Sequence, residues 1–361
     1  MIRSREALQT DGSTRQSSAP VVVGMSTDAP SAGARFAVVI VNYNGGAMLS
    51  DCVRSVLRER VPAAQIFLVD NRSSDGSIEA VQRSVEGVQV IRNPCNAGFA
   101  RAVNQGIKQA MRAQAMRVAV PPEFLLLLNN DARLEPGALQ AFADGFDTLP
   151  SLAIAGGQLH YPDGRLQSAF APLPSLAEEI LPRFLLKFIN PARFRRKTGI
   201  KTRMPVECVL GACLAVRGSV LPRLGLLDED FFFFFEEIEW CQRAGRMGAE
   251  VYYLPGARAI HGQGQTADRF RGPARVEYQR SKLTFFRKTR SAAEYHLASA
   301  VLVTRTLINA LFGAVVVAAT LGLNARLRVK ASTYWYLLCW HALLRPADWG
   351  LPGKCSDKEN T

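Results

Sequence analysis

The stretch FAVVIVNYNGG, residues 36–46, decides the fold. Its first six residues are apolar and mostly β-branched, with no polar interruption, the mark of a strand buried on both faces. Asn42, Tyr43, Asn44, Gly45 and Gly46 then break the strand, and Leu49, Val53, Val56 and Leu57 recur at helical spacing. The pattern repeats downstream. Residues 66–69 lead to Asp70, residues 88–91 form a third strand, a helix opens at Phe99, and FLLLL at 124–128 runs into Asn129, Asn130 and Asp131. Apolar strands alternating with helices predict an α/β architecture with a mainly parallel, Rossmann-like sheet covered on both faces. Ligands of such sheets bind beyond the carboxyl ends of the strands. Polar residues stand at three of those ends: Asn42 with Asn44, Asp70 with Asn71, and Asn130 with Asp131.

The chain of 361 residues is 48% hydrophobic, a globular composition. Its 44 Lys and Arg against 31 Asp and Glu give a net charge of +13. Eight basic residues fall within 183–203 and five within 280–290, which suits an anionic partner such as a membrane surface or substrate phosphates. A nucleic-acid partner is not expected, because no binding module or interleaved aromatic stacking motif accompanies the charge. Seven scattered cysteines without a CxxC pair predict neither a disulfide framework nor a zinc site, and fit a reducing cytoplasm. Residues 1–34, rich in Ser, Ala, Gly, Thr and Pro, read as a disordered extension. Residues 306–325 carry no charge and are long enough to cross a bilayer, but basic residues flank both ends and Tyr334, Trp335, Tyr336 and Trp340 follow. Helices lying on or dipping into the membrane surface are therefore favoured over a true span, and either over a soluble helical subdomain.

Chemistry concentrates in residues 211–261. Glu236, Glu237 and Glu239 directly follow five consecutive phenylalanines, Phe231 through Phe235. Carboxylates buried beside aromatics have raised pKa values and cost stability, which points to a general base. The first strand ends in VNYN rather than GxGxxG, which excludes a dinucleotide pyrophosphate turn. Asp70, at a strand end, can accept hydrogen bonds from a nucleobase or ribose. Asn96 and Gly98 start a helix with Arg101 one turn in, an arrangement suited to a diphosphate. Asp131 stands where a buried strand opens, and one carboxylate there can hold Mg2+ or Mn2+ together with diphosphate oxygens.

In order, VNYN (41–44), VDNRSSDGS (69–77), NPCNAGFARAVNQGI (93–107), LLLLNNDA (125–132), YPDGRLQSAF (161–170), GACLAVRGSV (211–220), LDEDFFFFFEEIEW (227–240) and LPGARAIHGQGQT (254–266) resemble family 2 glycosyltransferases of the GT-A, nucleotide-diphospho-sugar transferase fold, and within them the rhamnosyltransferase-like members of bacterial surface-polysaccharide synthesis. The match covers residues 36–290. It implies a transferase domain at 35–290; the tail at 291–361, expected from its hydropathy and charge to be helical and membrane-associating, carries little family information. By the same resemblance Asn42, Tyr43 and Asn44 border the nucleotide, Asp70 contacts the base, and Asn96, Gly98, Arg101 and Asn130 complete the donor site. Asp131 ends the family's DXD motif, here Asn129, Asn130, Asp131, and His261 completes a site for Mg2+ or Mn2+. Asn129 departs from the pattern by replacing a carboxylate, which weakens the expected metal affinity.

The EEIEW segment resembles the family's ED-x-D motif, which assigns the base to Glu237, with Glu236 as its rival. Trp240 and Glu239 are assigned to the acceptor side. The reaction implied is inverting transfer of a sugar, rhamnose among the candidates, from a nucleotide-diphosphate donor to a hydroxyl of a saccharide or lipid-linked saccharide at the inner face of the cytoplasmic membrane. The alternative is a non-catalytic nucleotide-sugar-binding scaffold of a polysaccharide assembly complex.

Overall fold

The computed structural model describes residues 31–118, 122–191, 193–194, 199–262 and 270–355. The extension expected at 1–34 lies outside these up to residue 30. Its last residues are ordered: Ala32–Arg35 form a 3-10 turn, and Arg35 bridges Glu123 and Asp147.

In chain order the elements begin with β1 (Phe36–Asn42), α1 (Gly46–Arg58), β2 (Ile66–Asp70), α2 (Ser77–Ser84), β3 (Gln89–Arg92), α3 (Phe99–Val118), β4 (Phe124–Asn129), β5 (Ala132–Leu134), α4 (Ala138–Thr148) and β6 (Leu152–His160). There follow β7 (Phe170–Ala171), α5 (Leu176–Ile180), α6 (Arg183–Ile189), β8 (Met204–Pro205), β9 (Cys208–Val209), β10 (Cys213–Arg217), α7 (Leu221–Leu224), α8 (Glu236–Arg246) and β11 (Glu250–His261). Three long helices close the chain: α9 (Arg271–Thr289), α10 (Ala292–Ala319) and α11 (Ala325–Ala342).

One sheet of order β3-β2-β1-β4-β10-β6-β11-β5, with β8 on β11, forms the centre. The fully buried apolar strands β1, β2 and β4 pair in parallel, as their uninterrupted hydrophobicity predicts, and β3 extends them. The other half is mixed: β10 enters antiparallel between β4 and β6, and β5 runs antiparallel to β11.

Register places the functional row. Asn42 is paired with Asp70, and Val41 with Asn129, so the carboxyl ends of β1, β2 and β4 finish level. After Asp131 the chain crosses to the far edge of the sheet, where Ala132 pairs with His261 at the end of β11. The row ends and the β11 end thereby face one cleft.

α10 and α11 form an antiparallel hairpin in which Gly313 lets the helices close: a Cβ there would sit 3.1 Å from that of Ala331. α10 reaches a mean hydropathy of 2.0 over eighteen residues, of which 17% are buried. Its outward residues Leu307, Ile308, Leu311, Phe312 and Val315 are exposed, as are Leu321 and Leu323 at the hairpin tip. α9 and α10 break at residues 290–291, and α9 packs against both later helices through Val276, Leu283, Leu302, Leu337 and Trp340. The tail is thus built onto the rest of the protein.

Candidate active site

A cavity of about 560 Å3 opens beyond the strand ends. Its wall combines Tyr43, Asn71, Asn96, Gly98, Asn130, Asp131, Gln167, Gly211, Glu236, Glu237 and His261 with the ring faces of Phe232, Phe233 and Phe234. The phenylalanine run divides by burial. Phe231 and Phe235 join Phe285, Phe286 and Ala298 in a small core, while the three between them line the cleft, which Phe235 also touches. Phe234 and Phe235 hold φ of 70° and 72°, a left-handed conformation unusual for bulky residues and characteristic of strained functional turns. That turn starts α8 and sets three glutamates in its first turn.

Glu236 and Glu237 both face the cavity, and each has a buried Oε2 without a hydrogen-bond partner among the described residues. Burial, followed by the charge of Glu237, pushes the Glu236 carboxyl well above the usual carboxylate range. Burial also raises Glu237, but backbone amides, Gly211 among them, hydrogen-bond its carboxylate and oppose the rise. Glu237 is therefore the easier of the pair to ionise.

Asp131 Oδ1 and His261 Nε2 lie 3.3 Å apart, with Asn129 Nδ2 at 3.4 Å from the same ring nitrogen. Gln167 fixes the imidazole. Its Nε2 donates to the His261 carbonyl at 2.7 Å, so its Oε1 is left to accept from Nδ1 at 3.0 Å. The network assigns the proton to Nδ1 and leaves the Nε2 lone pair facing Asp131. One carboxylate oxygen and one oriented imidazole nitrogen at a cavity wall fit a divalent cation that takes its remaining oxygens from a diphosphate or water. No group of three or more His, Cys, Asp or Glu suited to a metal occurs among the described residues.

The other expected donor residues form layers. Tyr43, Asn96, Gly98 and Asn130 line the cavity. Asn42 and Asp70 lie beneath it: Asn42 Nδ2 reaches Asp70, Ser73 and Ser77, its Oδ1 accepts from Asn130 at 2.9 Å, and Asp70 accepts from the Ser73 amide. Asn44 is held by Ser73 and Ser74. These three support the wall but are absent from it. Gly98 has a φ of 84°, and any Cβ there would meet Phe232 at 2.7 Å. The glycine thus lets the NPCNAG loop and the phenylalanine loop interlock, with Phe99 N donating to the Phe232 carbonyl.

Three expectations are corrected. Trp240 is fully buried, with its indole nitrogen donating to Gly225 O at 3.0 Å, so it packs the core and offers no acceptor platform. Glu239 turns away from the cavity to pair with Arg243 one helical turn on, which leaves it no acceptor contact. Arg101 bonds Glu229 at 3.1 Å and is absent from the cavity lining, where the diphosphate role would put it.

A fourth correction concerns the cysteines: Cys95 and Cys355 form a disulfide. It escaped the sequence reading because the two lie 260 residues apart, and only the fold brings the C-terminal segment back across the NPCNAG loop. Asn96 N donates to Gly353 O at 2.8 Å, Lys354 pairs with buried Glu277, and Leu351 joins the cavity wall. Gln167 also escaped assignment: it stands in the quoted YPDGRLQSAF segment, but no local spacing marks it as facing His261. Asn71, read as a polar strand-end residue without a role of its own, lines the cavity.

The profile of "Glycosyl transferase family 2" matches residues 37–220, half of the chain, spanning β1 to β10. The chain belongs to this family. The transferase is 27% identical over 64% of its length to "N-acetylglucosaminyl-diphospho-decaprenol L-rhamnosyltransferase" of Mycobacterium tuberculosis, covering 77% of that protein. It is 22% identical over 63% of its length to "dTDP-rhamnosyl transferase RfbF" of Shigella flexneri, covering 68% of it. Among solved structures it is similar to the mannosyltransferase PcManGT of Pyrobaculum calidifontis in complex with GDP-Man and Mn2+, at 17% identity, 87% coverage of each chain and a TM-score of 0.48.

Proposed function

We propose that this glycosyltransferase moves a sugar, with rhamnose the first candidate, from a nucleotide-diphosphate donor to a hydroxyl of a lipid-linked saccharide, inverting the anomeric centre, in cell-surface polysaccharide synthesis. The observation carrying this reading is the sharing of one cavity wall by Glu236 and Glu237, each with an unpartnered Oε2 among the described residues, and the oriented pair Asp131 and His261.

Tyr43, Asn71, Asn96 and Asn130 bind the nucleotide half, with Asn42 and Asp70 holding their loops in position. Asp131 and His261 would hold Mg2+ or Mn2+, which when bound neutralises charge on the diphosphate leaving group. Glu237 accepts the proton from the acceptor hydroxyl. The hydroxyl oxygen bonds to the anomeric carbon from the face opposite the diphosphate, whose bond to that carbon breaks. Burial and the charge of Glu237 oppose ionisation of Glu236, so Glu237 is the better proton acceptor of the pair. The names of the rhamnosyltransferase relatives support the donor and acceptor classes. The exposed apolar hairpin tip, with Arg326, Arg328 and Lys330 beside it, supports docking at the anionic inner face of the cytoplasmic membrane, the hairpin dipping into it rather than spanning it.

The test is a thermal-shift panel of dTDP-, UDP- and GDP-sugars with and without Mn2+. Stabilisation by one donor, strengthened by Mn2+, is expected. No response to any nucleotide sugar contradicts the reading.

A further inference from the structure

A second cavity, of about 680 Å3, lies beside the catalytic one and shares its wall: Phe234 and Tyr278 line both, their rings 5.6 Å apart and edge to face. α9 contributes Arg271, Arg275 and Tyr278, spaced four and three residues apart and so on one helical face. α11 contributes Arg326 and Lys330, again one turn apart. Among the described residues no carboxylate lines this cavity, so its wall is cationic. The basic run at 280–290 behaves differently, with Arg280 on Glu277, Lys282 on Glu179 and Lys288 on Asp228. Those charges serve internal ion pairs, whereas Arg275, Arg326 and Lys330 stand around the open cavity.

The surroundings are ordered. On one side, past Phe234, stand Glu236 and Glu237. On the other, Arg326 follows shortly after Leu321 and Leu323, the two exposed apolar residues at the hairpin tip. Carboxylate pair, aromatic wall, cationic cavity and apolar tip thus succeed one another. A sugar, a diphosphate and a lipid chain joined in that order present the complementary sequence of chemistries.

We propose that this second cavity binds the diphosphate of the lipid-linked acceptor, with the lipid leaving over the hairpin tip and the sugar passing Phe234 to reach Glu237. The proposal rests on the lipid-linked reading of the acceptor. Cations at the depth of the headgroups favour any lipid phosphate, but opposed arginines and a lysine around a cavity favour a compact dianionic group over the single charge of a phospholipid headgroup.

The test titrates fluorescent farnesyl diphosphate into the full chain with the donor site filled by a saturating nucleoside diphosphate, comparing wild type with the double variant R275Q/K330Q. Both residues are exposed, and unchanged nucleotide binding checks the fold. Binding is expected to fall by about tenfold or more in the variant, with inorganic pyrophosphate competing and farnesol failing to bind alike. Equal binding by the variant overturns the proposal. So does a variant that loses phosphatidylglycerol vesicles while pyrophosphate fails to compete for the probe, since that describes a headgroup patch. A wild type that binds and turns over a nucleotide sugar yet ignores farnesyl diphosphate overturns this proposal alone; one that binds no nucleotide sugar overturns the transferase reading beneath it.

Discussion

Nε2 of His261 lies 3.3 Å from Oδ1 of Asp131, brought there by a strand register in which Ala132 pairs with His261. Asn129 reaches the same nitrogen, and it stands where the family carries a carboxylate. Asn129→Asp therefore adds a hard oxygen ligand to the metal site proposed at Asp131 and His261. Mn2+ affinity in the presence of nucleoside diphosphate, read by calorimetry, is expected to rise by about tenfold, and His261→Ala to lower it by about as much.

Gln167 acts through the imidazole. Gln167→Leu removes the acceptor that keeps the proton on Nδ1, so Nε2 no longer presents a fixed lone pair. Mn2+ affinity is expected to fall by about 10- to 100-fold, with metal-independent nucleotide binding unchanged. Equal losses in both would mark Gln167 as merely structural.

Glu236 links the site to stability. Its folded-state pKa is raised above the unfolded value by burial and by Glu237, so the native state binds the proton more tightly. Stability is favoured below the unfolded pKa and declines as pH rises from there toward the folded pKa. Glu236→Gln removes that decline. The variant is expected to melt higher than wild type at pH 7.5 and level with it near pH 4, as calorimetric scans across that range would measure.

The sheet's first half was legible because its strands are buried on both faces and read as continuous apolar runs. The mixed half was less so: two-residue strands such as Cys208–Val209 carry no periodic signal. Asp131, His261 and Glu237 were assigned through the resemblance of their motifs, and all three line one cavity. Trp240 and Arg101 misled because a helix assigns each position a face, and a motif read along the chain does not report which face meets the cleft. Cys95 and Cys355, Gln167, and the cations of α9 and α11 were invisible for one shared reason. Each acquires its partner across the fold, and neither composition nor spacing records that.

The Cys95–Cys355 bond ties the C-terminal segment over Asn96 and closes a very long loop. Cys355→Ser, or reduction of the wild type, is expected to lower stability by about 2–5 kcal/mol and to weaken nucleotide binding as Asn96 loosens. Chemical denaturation with and without reductant measures the first, and nucleotide titration the second.

The hairpin tip supplies a membrane test. Phe312→Asp with Leu323→Asp places charge on exposed apolar positions and leaves the core untouched. Sedimentation with anionic vesicles is expected to drop by about tenfold or more, while transfer to a water-soluble acceptor persists.

The most direct test of the account is the Glu237→Gln enzyme assayed for transfer from its nucleotide sugar to a saccharide acceptor. The account predicts a loss of at least about 100-fold in kcat, with nucleotide and Mn2+ affinity unchanged, because amide replaces the base without altering shape. Transfer within a few-fold of wild type, or its loss only through weaker nucleotide binding, would contradict the assignment of Glu237 as the base.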